Sequence, residues 1–210
     1  MLNEMRESAR TLEKDLGLPE GFLEGLQEED DWSFIIKIHA LMEGAVSYLL
    51  VHYFGDTRLS KIFDFLELSD KRKGKVAFVS ALELLPVQSR RFLSKLSEIR
   101  NSLVHNVINV SFDLAGYVRG LNKEQIEVLI SSLESIDLSQ IDFGKNNEHR
   151  KEWIAINSKH LIYRMALITM GFIYLKRENA ELERELNKTA RQKLSAIVGL
   201  DKKDDPDAAT

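Results

Sequence analysis

The sequence contains no cysteine. Disulfides and thiolate metal sites are therefore excluded, and a reducing compartment, the cytoplasm, is expected. Prolines number only three in 210 residues, so long segments can run as unbroken helix. No apolar run is long. The longest, Met165 to Leu175, has 11 residues, against the roughly 20 that a membrane-spanning helix needs. The N-terminal residues mix charges instead of setting basic ahead of apolar ones, so no signal peptide and no membrane partner are expected. Positive charge is not in excess either. The net charge of −4 argues against a general nucleic-acid coat, and any RNA contact must be local. Neither H-E-x-x-H nor a glycine-rich phosphate loop occurs, so no metal site, no cofactor and no nucleotide hydrolysis are expected. Internal repeats are absent.

What is present reads as helix. Apolar content of 44% and charged content of 30% suit an ordinary globular chain with a core. The first 29 residues are acidic, with one short helix and a turn near Gly17-Leu18-Pro19. Asp31 is an expected N-cap for a core helix from Trp32 to Phe54, where Ile35, Ile38, Met42, Ala45, Leu49 and Tyr53 keep helical spacing. Gly55-Asp56 ends it. Short helices are expected at 59–68 and 76–85, the second stopped by Pro86. Residues 106–121 read as irregular. Asn122 is expected to cap a helix over 123–135, and residues 136–147 read as a loop. From Glu148 to about Val198 the pattern predicts one long helix, with a kink at Gly171. Beyond Lys176 it turns polar, with a thin stripe of Leu175, Asn179, Leu182 and Leu186. Those spacings match a short coiled-coil seam in which Asn179 would favour a fixed register in parallel pairing. The expected organisation is an N-terminal helical extension (1–30), an all-α bundle (31–175), a C-terminal helical extension (176–200) and a disordered tail (201–210).

One stretch stands out, Leu96 to Asn106. Phe92, Leu96, Ile99 and Leu103 form a buried stripe and leave Arg100, Asn101 and His105 over. These residue types hold a phosphate and move a proton. On an unbroken helix Arg100 and His105 lie about 140° apart. They converge on one phosphate only if the helix breaks near Val104 or a second copy supplies the missing half.

R-N-x-x-x-H at the end of an apolar helix, in an all-helical chain of this length, resembles the signature of the HEPN superfamily, over roughly residues 31–110. The resemblance implies a HEPN-like helical bundle. It further implies a metal-independent endoribonuclease of the toxin or defence type, with a composite site across a homodimer. On that resemblance His105 is the acid–base group, Arg100 holds the phosphorane and Asn101 orients the pair. An antitoxin or other protein partner would regulate it. Antitoxin-regulated relatives often carry a tyrosine two residues after the histidine. Here that position is Val107, so modification of that residue by a nucleotidyl-transferring antitoxin is not expected. Several relatives place an acid on the equivalent of the first core helix, and Glu43 is the matching candidate. The plainer reading of Glu43 is a solvent-facing residue at the polar edge of its helix.

Residues 71–100 hold eight basic and two acidic residues, a local reversal of the overall charge. Arg90, Arg91 and Lys95 within that band are candidate RNA-backbone contacts. The competing reading is a solvated helix face. His39 and His160 lie in apolar helical surroundings and read as hydrogen-bonded core residues. An alternative to the enzyme is a non-catalytic regulatory or interaction module. The helical plan is also similar to that of the mannitol-operon repressor family.

Overall fold

The structure is a computed structural model, and it describes residues 2–70, 72–104, 111–134, 136 and 147–198. Those residues form an all-α fold without strands. Nine α-helices occur among them: α1 (Leu2–Asp15), α2 (Phe22–Gly25), α3 (Asp31–Phe54), α4 (Ser60–Asp64), α5 (Lys75–Ala81), α6 (Val87–Val104), α7 (Leu114–Gly120), α8 (Lys123–Ser132) and α9 (Asn147–Val198).

The centre is α3. Asp30, one residue earlier than expected, caps it by accepting from the Ser33 backbone N–H at 2.9 Å. Asp31 is thereby freed to accept from the Leu114 N–H at 2.9 Å, which ties the start of α7 to α3. Gly55 ends the helix in the left-handed conformation at φ 69°, where a side chain would be strained. By length and apolarity alone α3 could pass for a membrane span. Eleven of its residues are buried in the bundle core, so its apolar surface is covered by α6, α9 and the shorter helices.

Helix α9 is the spine against which α1, α3 and α7 pack. The N-terminal segment, expected as an extension, sets Ala9 and Leu12 fully into the same core. Gly171, the residue expected to kink α9, packs against α1. A Cβ there would lie 2.5 Å from Met5 Sδ and 3.1 Å from Met5 Cα, so this glycine is where α1 touches α9. Further along, the expected stripe is uncovered. Leu175, Leu182 and Leu186 are exposed, as is Asn179. Ala180 is the last buried residue of α9 among the described residues.

Two other expectations shift. Residues 114–120, read as irregular, form α7, capped by Asp113. Helix α5 stops at Ala81 rather than near Leu85, and Glu83 then takes a left-handed φ of 52°. The cap at Asn122 is as expected, with a full capping box closed by Gln125. Residues 137–146, most of the expected loop, and the tail at 201–210 lie outside the described residues.

Candidate functional site

Helix α6 begins directly after Pro86 and buries Phe92, Leu96, Ile99 and Leu103, the stripe expected from spacing. The opposite side of its last turns carries Arg100, half-buried, and Asn101, exposed. Arg100 Nη1 donates to Asn101 Oδ1 at 3.1 Å. Glu98, two residues before the arginine, accepts from Lys95 Nζ at 3.1 Å. No carboxylate pairs with Arg100 among the described residues. His105, the third residue of the motif, lies outside the described residues.

Behind the motif, α3 meets α6 through a buried polar chain. His39 Nε2 lies 3.2 Å from Ser97 Oγ. Ser97 Oγ also lies 3.0 Å from the Leu93 carbonyl and donates to it. A hydroxyl has one proton, so while Leu93 receives it, His39 must donate through Nε2. One turn along α3, Glu43 Oε2 is 4.0 Å from His39 Nδ1. The other oxygen of Glu43 accepts from Lys75 Nζ at 3.0 Å. Lys75 is almost wholly buried, its side chain 2% exposed, whereas Glu43 keeps 33%. Burial holds the His39 imidazole below its ordinary pKa of 6.5. Glu43 opposes that shift, while the positive charges of Arg100 and Lys75 add to it. The ring is therefore neutral at pH 7, in the field of the motif arginine.

Several expectations are corrected here. Glu43 is not a free polar-edge residue, because its carboxylate is committed to Lys75. Lys75, counted in the solvated basic band, has left that band for the interior. The reason is local. Gly74 is drawn in by its N–H bond to the Asp70 carbonyl at 2.9 Å, and the Lys75 N–H bonds the Glu67 carbonyl at 2.9 Å. Together these bonds turn the lysine toward Glu43. His39 is a buried, hydrogen-bonded histidine as expected, but His160 is exposed.

Three of the band residues do come together. Arg90, Arg91 and Lys95 line one groove of about 360 Å³ with Ser94, Val128 and Ser131. Each already has a partner. Arg90 Nη1 donates to Ser80 Oγ, Arg91 pairs with Glu134 at 3.4 Å and Lys95 with Glu98. Arg90 Nε is buried without a partner among the described residues. No group of three or more metal-ligating side chains occurs among the described residues.

Sequence reasoning found Arg100 and Asn101 on the open side of α6, and the groove cations. It missed the link from His39 to Ser97, which are 58 positions apart. Only the four-residue spacing of His39 and Glu43 hinted at a shared face.

No family model, no curated protein and no solved structure matches this chain.

Proposed function

We propose that the chain is a metal-independent endoribonuclease of HEPN type, a toxin or defence effector whose composite site forms between two copies. The observation that carries this reading is the state of Arg100. It sits at the open end of α6, bound to Asn101 and to no carboxylate among the described residues. An arginine so placed keeps most of its donor fork for phosphate oxygens. His105 accepts the 2′-hydroxyl proton or protonates the leaving 5′-oxygen. The 2′-oxygen attacks phosphorus, the 5′-oxygen leaves, and a 2′,3′-cyclic phosphate remains. Arg100 offsets the charge that builds on the phosphorane. The groove of Arg90, Arg91 and Lys95 supports the reading as a path for the RNA backbone.

The test is cleavage of total RNA by the purified protein in EDTA, beside His105→Ala. Wild type should cleave, and the variant should lose about 10²–10⁴-fold, the scale of a missing acid or base. Equal cleavage by both places the activity outside the motif. Mixing Arg100→Ala with His105→Ala chains should restore part of the activity if the two residues act across the dimer. A second reading, a non-catalytic interaction module, is favoured by the uncovered apolar stripe on α9. Complete inactivity of wild type toward RNA would select it.

A further inference from the structure

Helix α4 presents a side chain that the bundle leaves almost bare. Phe65, its C-cap, is 90% exposed, and Ile62 is 57% exposed. Phe65 keeps helical angles, φ −82° and ψ −13°, so helical spacing applies to it. It lies about 60° from Ile62 and about 40° from Lys61, which is also exposed. These three share one outward arc of about 100°. Phe63, about 160° from Phe65, is buried. Its ring stacks on Phe54 at 6.0 Å between centroids and meets Phe78 edge-on at 5.8 Å. The helix is thus mounted on Phe63, and the outward ring of Phe65 is left for something else to cover. No carboxylate lies within the arc. Asp64 is about 60° beyond Lys61 and accepts from Ser60 Oγ at 3.4 Å.

The charges around this arc extend the basic band. Lys61 has no ion-pair partner among the described residues. Arg72 and Lys73, in the turn ahead of α5, are exposed. Asp70 accepts their backbone N–H groups at 2.9 Å each. That bonding shapes the turn and leaves both side chains outside. Helix α5 then separates two surfaces. Val76 lines the groove of Arg90, Arg91 and Lys95. Phe78, about 160° away around α5, touches Phe63 beneath α4. The groove and the α4 arc therefore flank one short helix, with Arg72 and Lys73 ahead of its first turn.

We propose that Phe65 stacks an unpaired base of single-stranded RNA, with Lys61 on the adjoining phosphate and the strand continuing past Arg72 and Lys73 into the groove. A ring beside a cation suits such a strand, because every base has a π-face and every linkage a negative charge. A lipid surface fits less well. Exposed Asp64 and Glu67 beside the arc would face its anionic headgroups. A second copy pairing through the same arc would bring two Lys61 side chains together across the two-fold. The contact rests on the proposed action on RNA and says what that RNA must offer, unpaired bases well away from the cut. From the rise of α3, Phe54 lies about 22 Å beyond the level of His39, which meets the motif helix at Ser97.

The probe is a labelled RNA strand of mixed sequence, about 12 nucleotides long, with 2′-O-methyl groups throughout. It lacks the attacking hydroxyl, so it binds without being cut. Phe65→Ala should weaken binding about 5–100-fold in fluorescence anisotropy, the loss of one stacked base. Phe65→Trp should keep or raise the affinity. Phe65→Leu, apolar but not planar, should fall with alanine. Lys61→Ala should lower the slope of log binding against log salt by about 0.7. At 90% exposure Phe65 makes little contact with the fold, and unchanged circular dichroism checks each variant. No binding by wild type, equal binding by wild type and Phe65→Ala, or full affinity in Phe65→Leu overturns the proposal. So does a Phe65 effect confined to dimer mass in light scattering or to phosphatidylserine vesicles, with RNA binding unchanged. The two readings fail differently. Phe65-dependent binding without cleavage of unmodified RNA defeats the nuclease alone. Cleavage with Phe65-independent binding defeats the stacking contact alone.

Discussion

At the scale of single residues, the buried partnership of Lys75 and Glu43 has measurable consequences. Lys75→Met keeps the length and removes the charge, leaving Glu43 without its cation. Because Glu43 is partly exposed, the loss should be about 1–3 kcal/mol, below that of a fully buried pair. Adding Glu43→Gln should recover part of it, as denaturant unfolding of the single and double variants would show. His39 sets a pH dependence. Its folded pKa lies below 6.5, so between those two values the unfolded chain binds the proton and the folded chain does not. Stability is then complete above about pH 6.5 and falls as pH drops from there toward the folded pKa. His39→Gln should remove that part of the slope in unfolding measured from pH 7.5 to 5. If the variant keeps the full slope, another group is responsible. The groove cations predict a salt effect. Alanine at Arg90, Arg91 and Lys95 together should lower the slope of log binding against log salt by about 2, at roughly 0.7 per phosphate contact on single strands. An unchanged slope would remove this groove from the RNA path.

Elements are where sequence and structure agree best, and their disagreements share a cause. Helices α3, α6, α8 and α9 were legible because each repeats an apolar face over several turns or carries a cap that its own residues supply. Helix α7 has seven residues with glycines at 116 and 120, too few turns to show a period. It forms because Asp113 caps it and Asp31 of α3 receives the Leu114 N–H, a contact 83 positions away that no local pattern announces. Gly171 is the same lesson in reverse. Its residue type suggested a bend, but its role is set by Met5 on another helix. Alanine at 171 would gain up to about 1 kcal/mol of helix propensity and lose about 1–3 kcal/mol by crowding Met5. Gly171→Ala should therefore destabilise, and Gly171→Leu more so. The alanine cost should shrink in a Met5→Ala background, where the sulfur is gone. Equal costs in both backgrounds, by thermal melting, would show that the α1–α9 contact is not the reason for the glycine.

For the whole molecule, the candidate site was half legible. The residue types and spacing of Arg100 and Asn101 pointed to the open side of α6. The chain from Lys75 through Glu43 and His39 to Ser97 spans three helices and depends on the packing of α3, α5 and α6, which spacing along one helix does not encode. The bundle and the end of α9 are separable in the same sense. Every residue from Glu185 to Leu194 is exposed, so a chain ended after Asn187 should melt within a few degrees of the full protein at a concentration where both are monomeric. A large drop would show that the exposed turns support the bundle. The seating of α1 on α9 also has a consequence in time. Ala9 and Leu12 are synthesised before the helix that buries them, which follows more than a hundred positions later. At roughly 5–20 residues per second, α1 waits on the order of ten seconds before its partner exists. During that interval its apolar face stays open to whatever meets a growing chain, and the bundle closes only once α9 has been made.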